Sequence, residues 1–395
     1  MIQKKDIPMS SPDISDAERK AVNSVLQTPY LSMGKEIEEF EKEFRNFTGL
    51  KNAIGVSSGT AGLHLCIRAA NVSEDDLVIT TPFSFVASTN VILYEKAHPI
   101  FVDIEYKTGN IDMNIVEEIL KEYIKNGFIS DHWLPRNGWN VKGELRAILV
   151  VDVFGQPAEY DRLKGFTKNS GIKIIEDSCE ALGAEYKNQK AGTLGNFGVF
   201  GFYPNKQITT GEGGVIVTNE NDSATLMRAL RNQGRAEGDK WLNHKYLGYN
   251  YRLDEMSAAL GRIQVTRLNE LLEKRERVSN WYNHRLAEIE GIETPFLAPY
   301  TTRASWFVYV IRVDRRINRE LLSSELRKRG IPSRPYFIPI HLQPYMVEHY
   351  GYRLGDFPIT EDIGNRSLAL PFSSTMEEHD VEYVCSALKK IISVS

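Results

Sequence analysis

Apolar positions in residues 35–48, KEIEEFEKEFRNFT, recur at Phe40, Phe44 and Phe47, four and three residues apart among charged neighbours. That spacing places them on one face of a helix. Residues 11–27 carry a second helical pattern. Further along, the period changes. Unalternated apolar runs appear at AIGV (53–56), LVITT (77–81), HPIFVDIE (98–105), LRAILVVDVFG (145–155), GIKIIEDS (171–178), NFGVFGF (196–202) and GGVIVTN (213–219). Helical stretches lie between most of them, clearest at 61–70 and 84–95. Such runs predict strands buried on both faces, hence a mostly parallel sheet between helices. Residues 262–290 then read as one long polar helix connecting two parts of the chain. SWFVYVIRV (305–313) alternates like a half-exposed strand. Helices are expected at 317–329 and 376–392, around a proline-punctuated loop, RGIPSRPYFIPIHLQPY (329–345), and LALPFSS (368–374). The expected organisation is an N-terminal segment plus a large α/β domain at 1–260. A connector helix and a smaller α+β domain follow at 261–395. Residues 121–144 interrupt the pattern with Asn, Gly, Pro and Trp, as a substrate-side loop, a subunit contact or an inert insertion.

The 395 residues carry 48 Lys and Arg against 52 Asp and Glu, a formal charge of -4. That balance argues against a strongly basic nucleic-acid binder, and no helix shows a basic stripe with interleaved aromatics. Three separated cysteines, with no CxxC and no Cys/His cluster, predict neither a disulfide scaffold nor a metal site. No run is long enough to span a membrane, and the first residues lack a secretory h-region, so a cytoplasmic location is expected.

Three segments carry chemistry. In FYPNKQITTGEGG (202–214), Lys206 follows an apolar strand among Pro, Asn, Thr and Gly. A lysine held there suits covalent attachment to a carbonyl cofactor. In IIEDSCEALG (174–183), Asp177 ends a strand, where parallel sheets meet their ligands. It can hold a cofactor nitrogen protonated, or simply cap the next helix. Ser57-Ser58-Gly59-Thr60-Ala61 forms a strand-to-helix turn suited to a phosphate. Neither a Walker motif nor a GxGxxG turn is present.

Together with IPMSSPDISDAERKAVNSVLQT, EIEEFEKEF, VSSGTAGLHL, TTPFSFVASTNVILYEKAHPIFVDIE, EDSCEALGAEY, NKQITTGEGGVIVTN, LRNQGR, LGYNYRLDEMSAALGRIQ and HLQPY, these segments resemble the DegT/DnrJ/EryC1/StrS aminotransferases across nearly the whole chain. The resemblance implies the fold type I architecture of pyridoxal-phosphate enzymes, a seven-stranded, mostly parallel sheet plus a smaller C-terminal domain. It implies pyridoxal 5′-phosphate as cofactor, with pyridoxamine 5′-phosphate as the amine-carrying form. Lys206 stands where the family has its Schiff-base lysine, and Asp177 where it pairs the pyridine nitrogen. Phe85 would stack on the ring, its bland alternative being core packing. Ser58, Gly59, Thr60 and the amide of Ala61 would hold the phosphate. Asn250 resembles the asparagine that reaches the neighbouring subunit's phosphate, which implies a homodimer with shared active sites.

Two positions depart from the pattern. Gly201 replaces a serine that ligates the phosphate in many members. Glu180 stands where several have Gln or His near the phenolic oxygen, and is either protonated or turned to the substrate amine. The implied reaction is ping-pong amine transfer from L-glutamate to a keto sugar on a nucleoside diphosphate, most readily a 4-keto-6-deoxyhexose. A 3-keto sugar, an inosose or a non-catalytic regulatory role are the alternatives. Arg231, Arg235 and His244 are candidate diphosphate contacts. Tyr336, His341 and Gln343 are candidates for the sugar side.

Overall fold

The computed structural model describes residues 6–137, 143–168, 170–236, 238, 240 and 243–393. Its centre is a seven-stranded sheet built from β1 (Asn52–Val56), β2 (Leu77–Thr80), β3 (His98–Phe101), β4 (Leu145–Val151), β5 (Lys173–Asp177), β8 (Phe197–Gly201) and β9 (Gly214–Thr218). A short hairpin, β6 (Glu185–Tyr186) and β7 (Gln189–Lys190), lies outside that sheet and pairs with β11 (Thr301–Arg303). The order across the large sheet is β1-β9-β8-β5-β4-β2-β3. Only β9 runs against its neighbours; the β8-β5-β4-β2-β3 pairs are all parallel.

Alternation inside each apolar run explains why both faces are covered. Ile54, Val56, Val199, Ile175 and Ile216 face a core shared with the Gly59–Ala69 and Asn221–Arg231 helices. On the opposite face, Ala53, Phe200, Val215 and Val217 meet Phe40 and Phe44 of the Lys35–Thr48 helix. Leu77, Ile79, Ile148 and Val150 meet the Met113–Asn126 helix. Period-two side chains that are apolar on both sides read as continuous apolar runs.

The Lys35–Thr48 helix has no side-chain cap of its own. Buried Glu255 supplies one from elsewhere, its carboxylate accepting the Gly34 and Glu36 amides at 2.9 and 2.8 Å. An anion there also complements the helix dipole.

The expected single helix at 262–290 is two: Glu255–Thr266 and Leu268–Leu286, parted at Arg267. The second spans two cores. Leu268, Leu271 and Leu272 join the Phe40 core, whereas Val278, Tyr282 and Leu286 join a C-terminal one. That second core lies beneath the antiparallel sheet β10 (Ile292–Glu293), β12 (Tyr309–Val313) and β13 (Ser367–Leu370). Ile7 enters it too, and the Ile7 amide donates to Gly330 O. The strand expected from residue 305 starts only at Tyr309, because Trp306 has φ 50 and turns the chain out of extension.

The 121–144 stretch is only partly irregular. The Met113–Asn126 helix extends into it, and a 3-10 turn covers Asp131–Trp133. Arg136 pairs with Asp356, and the Asn137 amide donates to Tyr350 O. Residues 138–142 lie outside the described residues. Among the described residues no helix is long and apolar enough to cross a membrane.

Phe44 is fully buried against Phe40, Phe47, Phe200 and Phe202. Phe44→Ala is expected to cost about 3–5 kcal/mol of unfolding free energy, read from the urea midpoint. A loss below about 1 kcal/mol would show that this cluster does not anchor the helix.

Candidate active site

The carboxyl ends of β5 and β8 and the start of the Gly59–Ala69 helix open on one cavity of about 560 Å³. Each element contributes for a local reason. Ser58 caps the helix, its hydroxyl accepting the Ala61 amide at 3.0 Å. This corrects the expectation that the Ala61 amide is available to a phosphate. The Gly59 and Thr60 residues remain at the cavity wall, and amides at the first positions of a helix have no intrahelical partner. Space there is tight: a Cβ on Gly59 would come within 2.8 Å of Cys179 Sγ. Gly201 lines the same wall, where a Cβ would lie 3.4 Å from Cys179 Sγ. Phe85 lies at the cavity rim, 63% exposed, so it is no core residue.

Asp177 is buried at the end of β5. One carboxylate oxygen accepts Ser88 Oγ at 2.6 Å and the other the Cys179 amide at 3.2 Å. Asp177 is therefore oriented by Ser88; no helix follows for it to cap, the chain turning at Cys179 and Glu180 before β6. Lys206 Nζ stands 3.8 Å from Glu180 Oε1 and 3.8 Å from the centre of the Phe307 ring. Burial raises the Glu180 carboxyl above its ordinary pKa, while the Lys206 charge and the Phe154 amide, donating at 2.9 Å, oppose the rise.

Arg275, absent from the sequence-based candidates, holds this lysine loop. Its fully buried guanidinium donates to Lys206 O at 2.6 Å, Asn205 O at 3.4 Å, Trp306 O at 3.1 Å and Phe307 O at 3.2 Å. Burial without a carboxylate pushes its pKa down to about 10.

These residues fit pyridoxal phosphate: an amine, a buried carboxylate, a helix start for an anion and an aromatic ring share one cavity. Comparison with known proteins agrees. Residues 12–389 match the DegT/DnrJ/EryC1/StrS aminotransferase family. The chain belongs to this family. GDP-perosamine synthase of Caulobacter vibrioides is 33% identical, with 98% of each chain covered. UDP-4-amino-4,6-dideoxy-N-acetyl-beta-L-altrosamine transaminase of Campylobacter jejuni is 30% identical over 98% of this chain and 97% of that one. The solved structure of Helicobacter pylori PseC, an aminotransferase involved in the biosynthesis of pseudoaminic acid, superposes with a TM-score of 0.87. It is 27% identical over 99% of this chain and 100% of that one. Aminotransferases of this family are pyridoxal-phosphate enzymes, and the expected fold class stands.

Not every candidate residue reaches the cavity of this aminotransferase. Ser58, Gly59, Thr60, Phe85, Asp177, Glu180, Gly201, Lys206 and Tyr336 line it. Arg231 does not: it is buried between Glu41 Oε1 and Gly55 O, at 2.7 Å from each, and ties its helix to β1. His341 is 0% exposed and bonded to Glu361 Oε1 at 2.9 Å. Both are structural, which corrects their reading as substrate contacts. His244 is exposed and bonded to Gln233 O; Gln343 precedes the Pro344–Tyr350 helix. Neither they nor Arg235 line the cavity. Asn250 is exposed and outside it, paired with Asn232 across an isolated bridge.

Two outcomes check this geometry. With its pKa raised on folding, Glu180 binds more protons in the folded state than in the unfolded one above pH 4.5. Wild-type stability relative to Glu180→Gln therefore falls as pH rises from there, and levels off above the folded pKa. A difference in melting temperature that stays constant from about pH 5 to pH 8 would contradict the assignment. Arg275→Ala strands several buried carbonyls and is expected to lose at least about 2 kcal/mol of stability; an unchanged melting temperature would show that the carbonyls find other donors.

Proposed function

We propose that this aminotransferase moves the amino group of L-glutamate to a 4-keto-6-deoxyhexose carried on a nucleoside diphosphate, by alternating half-reactions. One observation carries the reading: Lys206, Asp177 and the Ser58–Thr60 helix start open on the same cavity. The acceptor class is supported by relatives named for a GDP-linked and a UDP-linked amino sugar, the second named as a 4-amino-4,6-dideoxy compound.

Pyridoxal 5′-phosphate, when bound, supplies an electron sink for the pair left on a deprotonated carbon. The chain's own residues do the rest. The amides of Gly59 and Thr60 and the Ser58 turn bind the phosphate. Asp177, oriented by Ser88, holds a proton on the ring nitrogen. Phe85 covers the ring. Lys206 would anchor the cofactor and, once freed, would take the proton of the donor's α-carbon on Nζ and deliver it as general acid to C4′ of the cofactor. Glu180 sits beside Lys206, its carboxyl raised by burial while the Lys206 charge opposes the rise.

We further propose a homodimer in which Asn250 serves the neighbouring subunit. Its exposure outside its own cavity supports this, as do the exposed apolar side chains Tyr30, Phe85 and Leu247. We also propose a large domain at 1–260 and a smaller one at 261–395, with Ile7 reaching across into the core of the second.

The test is optical. Purified protein supplied with pyridoxal phosphate is expected to show a visible absorbance band that fades on adding L-glutamate, with 2-oxoglutarate formed in equal amount. A band untouched by L-glutamate would reject this donor. Lys206→Ala is expected to lower turnover by about 10²–10⁴-fold or more; turnover within a few-fold of wild type would remove Lys206 from the chemistry.

A further inference from the structure

A second cavity of about 390 Å³ adjoins the first. The two share Tyr203, Asn205, Phe307 and Tyr336 as a common wall. Their charge differs. Asp177, Glu180, Glu212 and Lys206 line the first, whereas among the described residues no acidic residue lines the second. The one charged side chain on the second wall is Arg334.

Arg334 is built as a fixed base with a free head. Its backbone pairs with Ala369 in both directions, Arg334 N to Ala369 O at 3.2 Å and Ala369 N to Arg334 O at 2.8 Å. That bridge fastens it beside β13. In extended chain, residues two apart face the same side, and Arg334 and Tyr336 line the cavity together. The guanidinium is exposed and has no hydrogen-bond or ion-pair partner among the described residues. Nearby, Ser10 Oγ and Asn205 Oδ1 are buried polar atoms without a hydrogen-bond partner, on residues that line the same cavity. A guanidinium on a cavity wall without carboxylates selects an anion, and its planar fork suits phosphate oxygens.

We propose that Arg334 holds the diphosphate of the acceptor and so determines its specificity; this rests on the function proposed above. The position fits that role. The second cavity opens from the wall that it shares with the first, so a keto sugar beside Lys206 can extend its diphosphate toward Arg334. Of the residues that the sequence offers for the diphosphate, Arg231 is committed to Glu41. An α-carboxylate of L-glutamate has the same charge and is the competing source.

The probes are GDP, UDP and dTDP, titrated by calorimetry into wild-type protein loaded with pyridoxal phosphate, and into Arg334→Gln and Arg334→Lys. At least one is expected to bind wild type. Arg334→Gln is expected to weaken it by about tenfold or more, with partial rescue in Arg334→Lys. In turnover, the acceptor KM is expected to rise more than kcat falls. Failure of all three diphosphates to bind wild type, or equal binding to Arg334→Gln, overturns the proposal. So does an Arg334→Gln variant that weakens L-glutamate and leaves the diphosphates unmoved, since the anion would then be the donor's carboxylate. Loss of the optical response to L-glutamate in wild type is a separate outcome, which overturns the function on which the proposal rests.

Discussion

A single buried guanidinium joins the lysine loop to the C-terminal part of this molecule. Arg275 rises from the Leu268–Leu286 helix and donates only to main-chain carbonyls: those of Asn205, Lys206, Trp306 and Phe307. No carboxylate offsets its charge. Four carbonyl dipoles do so instead, and the fork of a guanidinium reaches carbonyls on two different segments where the point charge of an ammonium would not. The consequence is geometric. Phe307, whose ring lies under Lys206 Nζ, and the backbone of Lys206 itself are fixed by the same side chain. Placing the reactive amine is thus a task shared between the large sheet and the C-terminal sheet.

The remaining geometry follows from parallel strands. β4, β5 and β8 point the same way, so their carboxyl ends share one edge of the sheet. The edge collects polar groups that the faces exclude. Asp177 and Glu180 follow the end of β5, and the lysine loop follows β8. β1 lies two places away, across β9, and delivers the Ser58 turn to the same edge. Both faces are apolar and sealed by helices. Chemistry therefore sits at the strand ends, where backbone amides and charged side chains meet solvent and ligand. The adjoining wall carries Arg334, whereas that edge carries Asp177, Glu180 and Lys206.

Which residues were legible from sequence follows from the range of the forces acting on them. Lys206, Asp177 and the Ser58 turn were legible because each is marked locally: a glycine-rich loop after a strand, a carboxylate at a strand end, a cap before a helix. Phe40 and Phe44 were legible by spacing alone. Arg231 and His341 looked like site residues because a cation near a familiar motif is locally indistinguishable from a ligand contact. Their partners, Glu41 and Glu361, are 190 and 20 residues away. The break at Arg267 was hidden as well, because helical pattern continues through it and its guanidinium pairs with Asp13 and Glu18 at the other end of the chain.

By itself, the sequence determined the alternation of strands and helices, the sheet buried on both faces, and the residues able to anchor a cofactor. Those properties depend on side-chain periodicity and on turn chemistry within a few residues. Only the tertiary structure decided which charges are spent and which are free. Glu41 takes Arg231, carbonyls take Arg275, and the Arg334 guanidinium has no partner among the described residues. A charge is committed or left available by what folds against it, and that pairing is set by contacts between segments far apart in the chain.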